Sequence, residues 1–282
     1  MSYRIIGDSC LDLTEELKKD KRFVTVPLTL QVDDATVIDD DTFDQKRFLR
    51  MVKESFSCPK SACPSPEAFK EAMECDADDV YVITLSSHLS GSYNSAVVGR
   101  ELYEEEHGAG TKNIVILDSE SASAGQLNMA LAIVDMYEEG LGVKEISEKI
   151  LKQRAGQGIY FVLDTLEYLR KNGRLTGLQA FFATALNIKP VMGAERGVIV
   201  KLDQARGLNK AYSRMCDIAV RNRKHLEADR LVIAHCNCPD RAQQVKAEME
   251  KRGSFKEVVI AETAGVASMY AGDGGIVMSV WG

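Results

Sequence analysis

The strongest constraint on the fold is a unit repeated along the first half of the chain: an apolar run of strand length, a hydroxyl-rich turn, then a helical pattern. Its fullest copy is Val80 to Ala96, VYVITLSSHLSGSYNSA. Val80 to Leu85 reads as a buried strand, Ser86-Ser87-His88-Leu89-Ser90-Gly91-Ser92 breaks it, and Tyr93 to Tyr103 resumes as a helix. Tyr3 to Gly7 runs into Asp8-Ser9-Cys10-Leu11-Asp12. Asn113 to Leu117 runs into Asp118-Ser119-Glu120-Ser121-Ala122-Ser123, ahead of a helix from Ala124 to Glu139. Strands alternating with helices predict a parallel sheet with helices on its faces. Ligands of such sheets sit at the carboxyl ends of the strands, which is where these serines collect. The first amides of a helix have no internal acceptor and its dipole favours negative charge there, while serine hydroxyls add donors without bulk. One such turn, taken alone, is more often an ordinary serine N-cap on a surface loop. Several at one sheet edge make a candidate cradle for an anion or carboxylate.

Between these units the pattern predicts a short helix from Thr14 to Asp20 with Thr14 as N-cap, and a strand within Phe23 to Val32 interrupted at Pro27. It also predicts an amphipathic helix from Thr42 to Glu54. A further hydroxyl-rich turn, Lys60 to Glu67, places Ser65 as N-cap and Pro66 at the first position of a helix to Glu74. A helix from Val143 to Arg154 leads into Ala155-Gly156-Gln157-Gly158, a candidate hinge. Beyond it come a strand Ile159 to Leu163, a helix Leu166 to Arg170, and a nearly all-apolar helix Leu178 to Leu186. A hairpin follows, from Ile188 to Met192 and from Val198 to Lys201. A helix Lys210 to His225 precedes strands Arg230 to Ala234, Val258 to Ala261 and Ile276 to Val280, with a helix Pro239 to Lys251 among them. The expected class is α/β with two α/β domains: an N-terminal parallel-sheet domain, 1–156, and a C-terminal mixed or antiparallel-sheet domain, 157–282.

Composition narrows the function. A chain of 282 residues that is 45% hydrophobic can bury a substantial core. A net charge of −7 with no lysine or arginine run argues against nucleic acid and against an anionic membrane surface. The N-terminal apolar run is too short for a signal peptide, and no stretch reaches the roughly 18 residues of a membrane span. A cytoplasmic protein without an integral membrane segment is expected. Seven cysteines, an odd number in a chain this long, do not suggest a disulfide framework. Cys236-Asn237-Cys238 beside His235 lacks the paired ligand spacing of structural zinc, so neither metal nor cofactor is expected.

The rival class is an enzyme. Gly7-Asp8-Ser9 after an N-terminal strand echoes serine hydrolases that open in this way, which need a late Asp-x-x-His pair. The residues three before His88, His107, His225 and His235 are Leu85, Glu104, Asn222 and Val232, so no such pair exists. There is no G-x-S-x-G elbow, and Gly108 to Lys112 lacks the spacing of a phosphate loop. A serine-dependent lipid or ester hydrolase remains the alternative function.

Several ordered motifs resemble the DegV family of bacterial fatty-acid-binding proteins. The opening D-S-x-x-D-L is Asp8-Ser9-Cys10-Leu11-Asp12-Leu13. The T-S-x-P-S turn is similar to Ser61-Ala62-Cys63-Pro64-Ser65 followed by Phe69, and S-S-x-L-S-G-T-Y to Ser86 through Tyr93. The D-S turn is Asp118-Ser119, the L-x-Y-L-x-x-G-G-R segment is Leu166 to Arg174, and I-K-P is Ile188-Lys189-Pro190. The R-T-x-x-K-A stretch is similar to Arg206 through Ala211, with Gly207 in the place of threonine. Where the pattern ends in H-x-G-P-G-A, this chain has Tyr270-Ala271-Gly272-Asp273-Gly274-Gly275. The resemblance runs nearly end to end. It implies a non-catalytic carrier that holds one long-chain fatty acid in a tunnel between two domains and presents it to a fatty acid kinase catalytic subunit. It assigns the carboxylate to Ser61, Ser90, Gly91 and Ser92, with Tyr270 as the altered third contact. Arg206 falls in the partner-facing stretch. Candidates for the acyl-tunnel wall are Phe161, Leu163, Leu178, Phe181, Phe182, Leu186 and Ile188.

Overall fold

Three sheets and the helices around them account for residues 2–175, 187–221 and 227–281, the parts described by the computed structural model. In chain order the elements begin with β1 (Tyr3–Asp8), β2 (Phe23–Val26), β3 (Thr29–Val32), β4 (Ala35–Ile38), α1 (Gln45–Glu54), β5 (Lys60–Ala62) and α2 (Pro66–Met73). Next come β6 (Asp79–Thr84), α3 (Ser92–His107), β7 (Asn113–Asp118), α4 (Ala124–Glu138) and α5 (Val143–Arg154). The remainder are β8 (Gly158–Val162), α6 (Glu167–Lys171), β9 (Ile188–Glu195), β10 (Val198–Arg206), α7 (Leu208–Arg221), β11 (Glu227–His235), α8 (Pro239–Glu250), β12 (Ser254–Glu262), α9 (Gly265–Ala271) and β13 (Ile276–Trp281).

The first sheet has the order β2-β1-β6-β7, and every pairing in it is parallel. Every residue of β6 is buried, as a central strand covered on both faces requires. The second sheet, β10-β9-β8-β13-β11-β12, is mixed: β11 and β12 run parallel and its other pairs antiparallel. These match the two expected sheet types. The third sheet, β4-β3-β5, is small and antiparallel and was not expected. Pro27 splits the expected strand Phe23 to Val32 into β2 and β3, because proline has no N–H to offer a ladder. The expected helix from Thr14 to Asp20 is only a 3-10 turn, Leu17–Lys19. The expected helix Leu178 to Leu186 lies outside the described residues.

Helix α4 joins the two large sheets. Its residues Leu127, Met129, Ala130, Ile133 and Met136 pack in one core with Ile5, Tyr81 and Ile83 of the first sheet and Val232, Ala234 and Trp281 of the second. A helix apolar on most of its circumference must be covered on both sides. Two hydrogen bonds tie the helix to its surroundings: Asn128 donates to Ser279 Oγ at 3.1 Å, and Gln157 donates to Gly125 O at 2.7 Å.

Candidate functional site

The carboxyl ends of β1, β6 and β7 lie side by side, so their turns touch. Ser119 N donates to Thr84 O at 3.1 Å and Ser86 N to Ser121 O at 2.8 Å. The tip of the β9–β10 hairpin leans on the same turns. Ser86 Oγ donates to Gly197 O at 2.8 Å, and a Cβ on Gly197, whose φ is +79°, would stand 2.4 Å from that hydroxyl. Only glycine fits both the left-handed backbone and the close approach.

Between these turns, the small sheet, α9 and the second sheet is a cavity of about 350 Å³, within the range of small-molecule sites. Its wall is largely apolar. Cys10, Leu28, Leu85 and Leu89 come from one side, Ile159, Phe161, Leu163, Ile199 and Val277 from the other, and Val266, Ala267 and Ala271 from α9. The polar side chains gather from five segments. Ser61 comes from β5, Ser90 from the turn after β6, Ser121 and Ser123 from the turn after β7, Arg174 from the turn after α6, and Tyr270 from α9.

Ser61 Oγ and the Tyr270 hydroxyl are 3.1 Å apart and share a hydrogen bond. Arg174 has its guanidinium carbon 5.7 Å from the Tyr270 ring centre, and its Nε and Nη1 donate to Leu89 O at 3.2 Å and Asn172 O at 2.6 Å. These bonds to two carbonyls fix the guanidinium beside the tyrosine. Among the described residues that line the cavity, Arg174 carries the sole formal charge. Burial pushes the Tyr270 phenol up, against the opposing pull of Ser61 and Arg174, so it remains a protonated donor near neutral pH. Burial likewise raises the Cys10 thiol well above its ordinary value, which keeps this wall residue neutral.

The expected site residues do not all meet at the cavity. Ser61, Ser90, Gly91 and Tyr270 line the cavity, as do Phe161 and Leu163. Two take other positions. Ser92 is fully buried but turned away from the cavity: it begins α3, its hydroxyl lies 3.0 Å from Ser90 Oγ, and it hydrogen-bonds to Asp8. Ile188 is half-buried at the base of the hairpin, opposite Arg206, six residues and about 20 Å along β9 from the cavity-lining Ala194. Leu178, Phe181, Phe182 and Leu186 lie outside the described residues. Arg206 is exposed at the end of β10, followed by Gly207 at φ +82°. Asp273 is exposed and accepts from Asn237 at 2.9 Å, so its charge is turned away from the cavity.

Arg174 was not singled out from sequence, although it closes the Leu166 to Arg174 motif. Ser9, the hydrolase candidate, is buried, donates to Asp39 Oδ2 at 2.7 Å, and is absent from the cavity wall. With its hydroxyl committed to a carboxylate behind the wall, Ser9 has no access to a substrate in the cavity.

Comparison with known proteins fits this geometry. Residues 2–280 match the family model described as "Uncharacterised protein, DegV family". A DegV domain-containing protein of Streptococcus pneumoniae is 32% identical over 282 residues, covering 99% of this chain and 98% of its own. A DegV family protein from Ruminococcus gnavus, solved with vaccenic acid, has a TM-score of 0.95 at 43% identity, with 99% of each chain covered. The Streptococcus pneumoniae Fatty Acid Kinase (Fak) B3 protein, solved loaded with linoleic acid, has a TM-score of 0.91 at 31% identity, covering 100% of this chain and 99% of that one.

Proposed function

The chain belongs to the DegV family, and on that premise we propose that it carries one long-chain fatty acid without transforming it and presents the acid to a fatty acid kinase. The observation that carries this reading is the make-up of the cavity: a largely apolar wall, with Ser61, Tyr270, Ser90 and Arg174 collected on it from four separate segments. Solved relatives holding vaccenic and linoleic acid, one of them a fatty acid kinase B protein, support the ligand class and the partner.

The two parts of the ligand would contribute differently. Burying a chain of roughly 14 to 16 methylenes gains on the order of 10 kcal/mol, from which association and ordering take a large share. A hydrogen bond to a charged head group adds about 1.5–3 kcal/mol. The tail therefore supplies affinity and the polar end fixes direction. Tyr270 donates a hydrogen bond without a charge, where the family pattern has histidine. Arg174, held against its ring, supplies the positive charge that a carboxylate needs in an apolar wall. In the same reading Gly91 lets the Ser90 turn pass close to Cys63: a Cβ there would meet Cys63 Sγ at 3.1 Å. Ser92 supports Ser90 rather than the ligand, and Arg206, exposed and outside the cavity, faces the partner. Residues 1–156 and 157–282 are the two domains between which the ligand lies.

Binding of a fatty acid and of the matching alcohol tests this directly. Ser61→Ala with Ser90→Ala is expected to weaken the acid by at least about tenfold, with much less change for the alcohol. Equal losses for both ligands would refute a carboxylate site.

A further inference from the structure

Asp8, the last residue of β1, and Asp12, in the turn after it, are fully buried carboxylates, and a third, Asp39, is buried beside them. None of the three lines the cavity. A buried carboxylate is retained only where its oxygens are well supplied with donors, so its partners show what it holds in place.

Several of their partners lie in segments that line the cavity or lead into it. Asp8 Oδ2 accepts from Leu85 N at 2.8 Å, where the Ser86–Ser92 turn begins. Its Oδ1 accepts from Gln126 at 2.9 Å and from Cys10 N at 3.2 Å. Asp12 Oδ1 accepts from Ala264 N at 2.7 Å, and its Oδ2 from Ser123 Oγ at 2.5 Å. Asp39 Oδ1 accepts from Gly265 N at 2.5 Å. Its Oδ2 accepts from Val266 N at 2.7 Å and from Ser9 Oγ at 2.7 Å, and that hydroxyl in turn accepts from Leu28 N at 3.0 Å. Three successive amides, 264 to 266, thus end on two carboxylates from the other half of the chain.

Those amides open α9, a helix of 7 residues that carries Tyr270 near its far end. A helix this short does not hold itself and is placed by its contacts. Gln45 steadies its start by donating to Thr263 O at 2.8 Å and Ser268 Oγ at 3.1 Å. The backbone amides, however, are fixed by the aspartates. The opposite side of the same anchor is strained. Ser123 has φ 56° and ψ −120°, and its hydroxyl is held by Asp12. Residues keep such a conformation only where their surroundings enforce it.

We infer that Asp12 and Asp39 are positioning residues of the head-group site: by gripping the 264–266 amides they set the angle of α9, and so bring the Tyr270 hydroxyl to Ser61. This rests on the reading of the cavity as a carboxylate site. The aspartates touch no ligand; they act through Tyr270.

The test is a double-mutant cycle between Asp39→Asn and Tyr270→Phe, with palmitate and hexadecanol titrated into each variant. Asparagine keeps the shape of Asp39 but presents an NH₂ to one of its donors. Asp39→Asn is expected to weaken palmitate about tenfold, the worth of one charge-assisted hydrogen bond, with hexadecanol within about twofold. In the Tyr270→Phe background the same substitution is expected to cost palmitate almost nothing further. Equal losses for acid and alcohol, or losses that simply add, would overturn the inference. Should Asp39→Asn fail to fold, Asp12→Asn applies the same test through Ala264. Failure of both to fold would assign the carboxylates to the fold rather than the site, which also overturns the inference. A failure of the underlying carboxylate reading shows elsewhere: the wild-type protein itself would then not prefer palmitate over hexadecanol, and the positioning role would fall with it.

Discussion

At the scale of single residues, the proposed head-group end takes its charge from Arg174 and its hydrogen-bonding direction from Ser61, Ser90 and Tyr270. The guanidinium is already fixed by Leu89 O and Asn172 O, so little ordering remains to be done on binding. Arg174→Met keeps an apolar stem and removes the charge. By calorimetry its fatty acid affinity is expected to fall about tenfold or more while the matching alcohol binds as before. Unchanged acid affinity would remove Arg174 from the site. The turn holding Ser90 and Gly91 is visible in the sequence because a hydroxyl-rich turn between a strand and a helix is a recognisable pattern, whereas Ser61, which lies in β5, is picked out only by the family resemblance. Arg174 was not, because one arginine beside a glycine in a turn has the look of a solvated residue. Only the fold brings it against Tyr270. The resemblance groups Ser92 with Ser90 and Gly91, but adjacency in sequence says nothing of direction: where the chain enters α3, its side chain turns inward to Asp8.

At the scale of elements, strands followed by strong helical patterns were read well. Ser65 and Pro66 open α2 as their types predict, with Ser65 accepting from Ala68 N at 3.3 Å. Elements whose existence depends on distant contacts were missed. The strands β4 and β5 are 4 and 3 residues long and have meaning only beside β3. Helix α9 is short and rich in small residues, and it is held by aspartates more than two hundred positions away. That anchor has a pH signature. Burial pushes Asp8 up to about 6 and Asp12 up to about 7, against the opposing effect of their hydrogen bonds, and raises Asp39 too. The charges facing Asp12 are Asp39, which raises it further, and Lys18, which lowers it. Because these values lie above the ordinary unfolded value of about 3.9, the folded state binds more protons between about pH 4 and 7. Stability from these groups is therefore present at low pH and lost as pH rises through their folded values, by roughly 3 kcal/mol for Asp8 and 4 for Asp12. Thermal melts are expected to show a higher Tm at pH 5 than at pH 8, with a shallower slope in Asp12→Asn. A Tm that rises from pH 5 to pH 8 would contradict this.

At the scale of the whole molecule, strand–helix alternation in the first half, with a hairpin and mixed strands in the second, was enough to predict both large sheets. How they meet was not legible, since that depends on α4 burying most of its circumference between them. The cavity exists because the serine turns of one sheet and the hairpin tip of the other close on a common space beside α9. Carriage of a fatty acid in that space is the central claim, and native mass spectrometry of the protein purified from cells tests it most directly. The expected spectrum shows the chain with one bound long-chain fatty acid. A spectrum of unliganded protein alone, even after incubation with palmitate or oleate, would contradict the claim.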